Sequence, residues 1–326
     1  MELSIVTTLY RSAPYVAEFC RRVGDAAGAI TDRYEIVLVN DGSPDDSLAV
    51  ALKAFQADPR IRVIDLARNF GQHKAIMTGL AHTSGRLVFV LDADLEEPPE
   101  LLRDFHAEMR RTGADVVYGV QPRRKGMLWE RVSGSLFYRL FNWAAAETIP
   151  PNVLCARLMT RPYVTALLSH REREVFLQGL WVATGFTQVA VVASKQSKGT
   201  TSYTLAQKMA ILVNAVTSFS NRPLVYVFYL GAVILALSII AVVDLIVRWL
   251  FFGTMLSGWP SLMVSVWLLG GLTIFSIGII GIYLAKVFTE VKQRPYTVVR
   301  RIYSHDPEQI HELHASQGAG EPLLYE

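Results

Sequence analysis

Short apolar runs alternate with segments of helical periodicity in the part of the chain that ends near Val120. The apolar runs are typical of buried strands and lie at Leu3–Thr8, Glu35–Val39, Arg62–Leu66, Leu87–Leu91 and Asp115–Val120. Between them, apolar residues recur three and four positions apart, which predicts helices at Pro14–Ala29, Gln72–Thr83 and Pro98–Arg111 and a further helix carrying Leu48, Leu52 and Phe55. This alternation predicts an α/β fold with a mainly parallel sheet.

The pattern changes after Val120, where two amphipathic helices are predicted at Leu128–Trp143 and Thr204–Ser220. A helix near Pro162–Ser169 and a strand near Val189–Val192 lie between them. An apolar stripe on a helix is typical of a core face or of a face lying in a membrane interface. The two long apolar runs described next favour a position in the membrane interface for both helices.

Two long uncharged runs, Leu224–Val243 and Ser261–Ala285, occupy the C-terminal part of the chain. At about 1.5 Å per residue, each run is long enough as a helix to cross a hydrocarbon core of about 30 Å. The connection at 244–260 holds one acidic and one basic residue, whereas the segment after the second run is basic. The distribution of lysine and arginine therefore predicts an external connection, with the globular body and both termini in the cytoplasm of an inner-membrane protein.

Composition and charge indicate which partners and which cellular setting to expect for this protein. Hydrophobic residues make up 51% of the chain and are not spread evenly along it, and the net charge of +3 does not suggest a nucleic-acid partner. The N-terminus passes directly into a strand pattern, so we expect no cleaved signal peptide. The two cysteines, Cys20 and Cys155, lack metal-ligand spacing, which fits a reduced cytosolic setting for the globular body.

The candidate chemistry begins where the run Leu87–Leu91 ends, at Asp92-Ala93-Asp94. In open α/β sheets, ligands bind at the carboxyl ends of the strands. Two carboxylates at that position can hold Mg²⁺ or Mn²⁺, which would neutralise a diphosphate. The alternative is that one aspartate caps the following helix and the other is solvated; the buried strand before them favours the metal.

Several motifs in order resemble the polyprenyl-phosphate glycosyltransferases of glycosyltransferase family 2, the group that includes dolichol-phosphate mannose synthases and bacterial undecaprenyl-phosphate sugar transferases. The resemblance covers about Leu3 to Pro295, and no single motif in it is specific. Its carriers are Asn40-Asp41-Gly42-Ser43, Asn69-Phe70-Gly71-Gln72, Asp92-Ala93-Asp94-Leu95 with Pro98-Pro99-Glu100, Ser218-Phe219-Ser220-Asn221-Arg222-Pro223-Leu224, and the two apolar runs.

The resemblance implies a GT-A (Rossmann-like) fold, a nucleotide-sugar donor, a divalent metal and a polyprenyl-phosphate acceptor. It implies that Asp41 contacts the uracil or ribose and that Asp92 and Asp94 hold the donor diphosphate through the metal. Gln72 and Lys74 would lie near the donor pocket. The alternatives are that Asp41 only forms a turn and that Gln72 and Lys74 are a solvated first turn of a helix.

The sequence departs from the family pattern at three places. Thr8-Leu9-Tyr10-Arg11-Ser12 replaces Pro-x-Tyr-Asn-Glu, so only Tyr10 carries over to the donor side. Leu154-Cys155-Ala156-Arg157-Leu158 replaces Gly-Asp-Phe-Arg-Leu, so Cys155 stands where the family has its presumed catalytic base and only Arg157 matches. Gly199-Thr200-Thr201-Ser202-Tyr203 replaces Gly-x-Ser-Lys-Tyr.

Loss of that aspartate does not remove the chemistry. A phosphate monoester has a second pKa of about 6, so the acceptor is already anionic near pH 7 and needs orientation more than deprotonation. By the resemblance, Asp94, Arg157 and Glu172 are the predicted catalytic residues; a charged helix surface is the alternative for Glu172. The residues predicted to bind the acceptor phosphate are Arg131, Lys198 and Arg222, for which general attraction to anionic lipid is the alternative.

The sequence thus predicts an inverting transferase that moves a sugar from a UDP-type donor to undecaprenyl or another polyprenyl phosphate, for lipopolysaccharide or other envelope glycans. The predicted organisation is a GT-A domain at 1–203 with an interface helix at 128–143, a juxtamembrane helix at 204–223, two spans within 224–285 and a basic cytoplasmic segment and tail at 286–326. Assembly as a homo-oligomer is left open. The competing hypotheses are a same-fold transferase acting on another lipid such as diacylglycerol, a catalytically silent nucleotide-binding scaffold and a soluble nucleotidyltransferase.

Overall fold

The computed structural model describes residues 1–121, 152–193, 222–252 and 258–305. The chain divides into two compact units. The globular unit comprises Met1–Tyr138, Glu147–Tyr203 and Gln293–Glu326, and the helical unit comprises Arg139–Ala146 and Thr204–Lys292. The helices predicted at 128–143 and 204–220 lie outside the described residues, and so do Arg131 and Lys198.

The described elements of the globular unit follow the predicted alternation of strands and helices closely. They are β1 (Leu3–Leu9), α1 (Val16–Gly28), β2 (Tyr34–Asn40), α2 (Ser47–Ala57), β3 (Ile61–Leu66), α3 (Gln72–Ala81), β4 (Leu87–Val90), α4 (Leu101–Thr112), β5 (Val116–Val120), β6 (Val153–Thr160), α5 (Arg161–Leu168), α6 (Leu177–Ala183), β7 (Gln188–Val192) and β8 (Val299–Tyr303). The α/β class is therefore confirmed.

All eight described strands form one sheet in the order β7-β5-β6-β4-β1-β2-β3-β8. The central strands β4, β1, β2 and β3 are parallel to one another, whereas β6 runs antiparallel to both β4 and β5. The sheet is therefore more mixed than predicted, and β5 does not adjoin β4. Strands β6 and β8 were not predicted, because charged residues interrupt both apolar patterns (Arg157 in β6; Arg300 and Arg301 in β8).

The central strands are buried because helices cover both faces of a parallel sheet. Every residue of β2 and every residue of β3 is buried. The core below β4 and β1 includes Phe19, Phe89 and Phe105, and the last two rings meet edge to face with centroids 6.2 Å apart. This packing fixes the strand ends that carry the candidate site.

The opposite end of the sheet holds a buried ionic cluster around Glu35. Its carboxylate accepts hydrogen bonds from the Ser4 hydroxyl at 2.6 Å and from the Ser84 amide at 2.8 Å. Arg62 donates to Glu35 at 3.1 Å and to the His82 carbonyl at 2.8 Å. These hydrogen bonds and the charge of Arg62 offset the desolvation cost of burying the Glu35 carboxylate, although the buried Arg62 Nε has no hydrogen-bond partner among the described residues.

The helical unit contains two long helices, α7 (Arg222–Phe252) and α8 (Trp259–Val291). Within them, Arg222–Ile240 and Ser265–Val291 are long and apolar enough to cross a membrane, with mean hydropathies of 2.3 and 2.1, and the most apolar stretch of each is not buried. The two predicted apolar helices are confirmed by length and composition. Helix α7 continues past Asp244 into the predicted connection, since a single charge does not end a helix.

Candidate active site

The candidate site lies at the carboxyl ends of β1, β2, β3 and β4. These strands are parallel and adjacent, so their carboxyl ends lie on the same side of the sheet. The residues that follow these ends are Tyr10, Asp41, the β3–α3 loop (Ala67–Gly71) and Asp92. Tyr10 is 45% exposed, and the Arg11 guanidinium lies 5.6 Å from the centroid of its ring. The sheet order β4-β1-β2-β3 places Asp92 beside Tyr10, followed by Asp41 and the loop, so residues far apart in sequence become neighbours here.

Asp41 binds the β3–α3 loop through its side chain. Its Oδ1 accepts a hydrogen bond from the Phe70 amide at 2.7 Å, and its Oδ2 accepts one from the Gly71 amide at 3.0 Å. Asp41 is buried, and burial raises its pKa although the two amide hydrogen bonds partly offset the increase. Asp41 thus does more than form a turn, and its predicted contact with the nucleotide stays a prediction.

Gly42 allows this close approach of the loop. Its φ is +56°, and a Cβ added there would lie 2.4 Å from the Arg68 carbonyl carbon and 2.4 Å from the Asn69 nitrogen. Only glycine meets both the backbone and the steric requirement. The Asn40-Asp41-Gly42-Ser43 motif is therefore a loop-binding turn.

Gln72 connects the same loop to the first aspartate. It is the first residue of α3, and its Nε2 donates a hydrogen bond to Asp92 Oδ1 at 2.7 Å. Lys74 follows in the same turn and is half-buried. The structure therefore brings Gln72 to the predicted metal site.

Asp94 shapes the turn that follows β4. Its Oδ1 accepts a hydrogen bond from the Glu96 amide at 2.9 Å, and Leu95 between them has a φ of +60°. Helix α4 has Glu100 as its N-cap residue, without a side-chain capping hydrogen bond. Neither aspartate caps α4, so the helix-cap alternative for these residues is wrong.

The donor atoms available here suit a hard divalent cation. Asp92 and Asp94 supply carboxylate oxygens, and the described ranges contain no cluster of three or more acidic, histidine or cysteine ligands. Two carboxylates with further oxygens from a diphosphate and water form a typical Mg²⁺ or Mn²⁺ set. The residues present therefore fit the implied metal.

Glu97 is a site residue that the sequence interpretation missed. Its side chain is 1% exposed, and its two carboxylate oxygens accept hydrogen bonds from the amides of Cys155 at 3.2 Å and Ala156 at 2.7 Å. It thereby holds β6 beside the end of β4. Its position between Asp94 and Pro98 could have indicated a site residue. An acidic residue before two prolines is, however, also typical of a helix start.

Cys155 lies next to Asp92 on this face of β6. Burial and the neighbouring carboxylates of Asp92 and Glu97 raise the pKa of the thiol well above its ordinary value, and the thiol hydrogen-bonds to Asp92. A thiol in this setting stays protonated at neutral pH, so it does not replace the missing aspartate as a base.

Arg157 is buried, and its guanidinium group packs against the Trp181 ring. It is 2% exposed, and its guanidinium carbon lies 3.0 Å from the centroid of the Trp181 ring. Burial lowers the pKa of Arg157 to about 10, which still leaves it cationic at pH 7. Arg157 is not among the described residues that line the cavity described next.

A cavity of about 230 Å³ opens beside Asp92. Its described lining is mainly neutral and consists of Gln72, His73, Ile76, Asp92, Glu97, Gln121, Asn152, Val153, Leu154, Cys155, Gln178 and Trp181. His73 Nδ1 lies 3.3 Å from the Val175 carbonyl oxygen, and burial lowers the pKa of His73. The amide side chains in this lining can hydrogen-bond uncharged hydroxyl groups.

Two other predicted residues lie outside this cavity lining. Glu172 belongs to the segment between α5 and α6, whose Val175 contacts His73. Arg222 is the first residue of α7, in the helical unit. Their predicted roles stay predictions.

Comparison with known proteins identifies the family. Residues 4–171 match the model of "Glycosyl transferase family 2". The chain is 52% identical over 306 residues to a Mycobacterium tuberculosis (strain CDC 1551 / Oshkosh) protein described as "Putative glycosyltransferases", with 94% of this chain and 90% of that protein covered. It is 30% identical over 311 residues to the SfII prophage-derived bactoprenol glucosyl transferase of Shigella flexneri, with 94% and 100% covered.

Among solved structures, mannosyl-3-phosphoglycerate synthase from Rubrobacter xylanophilus is similar over 67% of this chain and 73% of that chain, with 19% identity and a TM-score of 0.45. The matched family region contains every strand that ends at the candidate site. The chain belongs to glycosyltransferase family 2 and is a glycosyltransferase.

Proposed function

We propose that this enzyme transfers a sugar from a UDP-type nucleotide sugar to a polyprenyl phosphate at the cytoplasmic face of the inner membrane, with inversion at the anomeric carbon. The observation that carries the proposal is the Asp92–Asp94 pair at the end of β4, with Gln72 hydrogen-bonded to Asp92 beside a cavity whose described lining is mainly uncharged. The bactoprenol glucosyl transferase relative supports the polyprenyl acceptor, because this chain covers its whole length.

The proposed reaction is a single displacement. An oxygen of the acceptor phosphate forms a bond to the anomeric carbon while the bond from that carbon to the nucleoside diphosphate breaks. A divalent cation held by Asp92 and Asp94 would supply charge neutralisation at the diphosphate. Gln72 orients Asp92 for this role, and Asp41 positions the loop from which Gln72 projects.

The protonated thiol at Cys155 is compatible with this chemistry. A phosphate acceptor carries its negative charge before it reaches the enzyme, since its second pKa is about 6. Catalysis then depends on orientation and on stabilisation of the leaving group. The amide side chains of Gln72, Gln121 and Gln178 in the cavity lining can hydrogen-bond sugar hydroxyl groups, which supports an uncharged sugar at the transferred position.

The membrane part of the proposal rests on α7 and α8. Both contain a segment able to cross a membrane, and a lipid acceptor requires an enzyme at the membrane surface. In this proposal, Arg131, Lys198 and Arg222 bind the acceptor phosphate, both termini are cytoplasmic, and the lipid-linked sugar serves envelope glycan modification.

The test is sugar transfer by the full-length protein in detergent. Purified protein would be incubated with undecaprenyl phosphate, Mg²⁺ or Mn²⁺ and a panel of nucleotide sugars, with products followed by mass spectrometry. We expect Asp94→Ala to lower transfer by about 100-fold or more, because charge on the leaving diphosphate is no longer stabilised. EDTA should abolish transfer as well.

Asp104→Ala is the matched control, because Asp104 is exposed on α4. It should transfer at the wild-type rate. Metal-dependent UDP binding without a product from any donor would contradict the proposed reaction and favour a silent scaffold. Product formed on diacylglycerol but not on polyprenyl phosphate would contradict the proposed acceptor.

A further inference from the structure

The segment Pro295–Tyr303, which follows α8 in sequence, packs into the globular unit. Tyr296 and Thr297 are buried, and Val299–Tyr303 forms β8 at the edge of the sheet beside β3. We call this segment the C-terminal clamp. The clamp pairs with β3 from Val63 to Leu66 and reaches the start of the β3–α3 loop.

The clamp contacts Ala67, the first residue of that loop, from two sides. The Ala67 amide donates a hydrogen bond to the Val298 carbonyl at 2.8 Å. The Ala67 carbonyl accepts one from Arg300 Nη2 at 2.6 Å, and Arg300 Nη1 lies 3.5 Å from Asp65 Oδ2. Both backbone polar groups of Ala67 are therefore bound by the clamp.

An irregularity in strand pairing accounts for the position of Arg300. Asp65 pairs with Arg301 and Leu66 pairs with Val299, so Arg300 is an extra residue on β8 at this point. Such a β-bulge redirects a side chain and often lies next to an active site. Here it directs the Arg300 guanidinium towards Ala67 and Asp65.

The clamp also contacts α3, the helix that begins with Gln72. The hydroxyl oxygens of Thr297 and Thr78 lie 2.8 Å apart, and both residues are buried. Thr78 also donates to the Lys74 carbonyl, one turn earlier on α3. The clamp therefore contacts the loop at its start and the helix that follows it.

We propose that the C-terminal clamp positions the β3–α3 loop for nucleotide binding, with Arg300 as the main positioning residue. This inference rests on the proposed function, because it assigns the clamp to the predicted donor site. The loop is held at Ala67 by Arg300 and Val298 and at Phe70 and Gly71 by Asp41, and it ends at Gln72, which binds Asp92. Release of its first residue would loosen the donor side of the site while leaving the carboxylate pair in place.

The test compares Arg300→Gln with Arg301→Gln in the full-length protein. Both residues are exposed on β8, and both variants lose one positive charge, but only Arg300 contacts the loop. We expect Arg300→Gln to raise the Kd for UDP with Mn²⁺ by about 5- to 10-fold, the effect of one lost charge-assisted hydrogen bond. Arg301→Gln should bind UDP as the wild type does.

Kinetics and stability separate positioning from a general structural role. Arg300→Gln should raise KM for the nucleotide sugar while kcat and KM for the lipid acceptor stay close to wild type. Arg300→Lys should recover part of the affinity, because an ammonium group can reach the Ala67 carbonyl. Thr297→Val, which keeps the side-chain shape, should also raise the Kd for UDP.

Equal UDP affinities of Arg300→Gln and Arg301→Gln would overturn the inference. Thermal unfolding measures the fraction of each variant that is folded. If the weaker UDP binding of Arg300→Gln is fully explained by a smaller folded fraction, the inference is also overturned. UDP binding does not require sugar transfer, so the two proposals fail separately. A wild type that binds UDP without transferring sugar contradicts the proposed function alone, and a transferring enzyme with no effect at Arg300 contradicts the clamp alone.

Discussion

At the scale of single residues, the carboxylates of this site fall into two groups. Asp92 and Asp94 are the proposed cation ligands, whereas Asp41 and Glu97 use both carboxylate oxygens to accept hydrogen bonds from backbone amides. A carboxylate that accepts two amides fixes the position of a loop or strand more tightly than a turn sequence does. The acidic residues thus serve both the chemistry and the geometry that supports it.

Asp41→Asn tests this positioning role. An asparagine side chain can accept from one of the two amides only, and its NH₂ group would face the other N–H. We expect the Kd for UDP with Mn²⁺ to rise by about 10- to 100-fold, because the Phe70–Gly71 backbone loses its partner. Titration calorimetry of the purified protein measures this Kd.

Asp46→Asn is the control for the Asp41 variant, since Asp46 is exposed and makes no side-chain capping hydrogen bond at α2. It should leave UDP binding unchanged. Wild-type affinity in Asp41→Asn would show that the loop keeps its position without the carboxylate.

At the scale of elements, the two ends of the central strands carry different groups of polar residues. The carboxyl ends carry the site, and the amino ends of β1 and β2 carry the Glu35–Arg62 cluster. Burial acts to raise the pKa of Glu35, but hydrogen bonds from Ser4 and Ser84 and the charge of Arg62 outweigh it, so the pKa is lowered overall. Glu35 is therefore ionised in the folded protein at neutral pH.

Glu35→Gln should destabilise the protein by about 3 kcal/mol near pH 7, because it leaves the buried Arg62 guanidinium without its counter-charge. The lowered pKa means that the contribution of Glu35 is fully present above the ordinary carboxyl pKa and is lost as the pH falls through the folded-state value. The difference between wild type and variant should therefore shrink below about pH 4.5. Unfolding in detergent from pH 3 to 8 measures both effects.

Glu18→Gln is the control, since Glu18 pairs with Arg21 on the exposed surface of α1. Its melting temperature should stay close to that of the wild type. A Glu35→Gln variant as stable as the wild type at pH 7 would show that the cluster does not need its charge.

At the scale of the whole molecule, the chain passes from the globular unit into the helical unit and back again. The segment that follows α8 then joins the sheet as β8, where it pairs with β3. β8 is now the edge strand of the sheet, and its exposed Arg300 and Arg301 are charges of the kind that oppose non-native pairing at an edge. Folding of the globular unit is thus linked to chain that lies beyond the two apolar helices.

The proposed membrane topology predicts the behaviour of reporter fusions. Alkaline phosphatase, which is active only outside the cytoplasm, should be active when it is inserted at 253–257 and inactive when it is fused after residue 326. The physical reason is the excess of lysine and arginine after the second apolar run. Phosphatase activity in intact cells measures the orientation.

Detergent extraction is the control for membrane insertion itself. The protein should stay in the membrane pellet after washing with alkaline buffer and enter solution only with detergent. Release by buffer alone would contradict insertion, and an active phosphatase after residue 326 would contradict the cytoplasmic C-terminus.

The sequence by itself determined the α/β class, the central strands, the two apolar helices and the order of the motifs. These features follow from local patterns: a continuous apolar run predicts a buried strand, and an uncharged run of sufficient length predicts an apolar helix. The family resemblance rested on the same local information, and the family match confirms it.

Only the tertiary structure decided which groups bind each other. The contacts of Glu97 with β6, of Asp41 with Phe70 and Gly71, and of Arg300 with Ala67 join residues far apart in sequence. Strands β6 and β8 carry charged residues that mask their apolar pattern, and they form because existing strand edges offer unpaired hydrogen-bonding groups. Hydrogen bonds between distant segments depend on the path of the whole chain, which local periodicity does not encode.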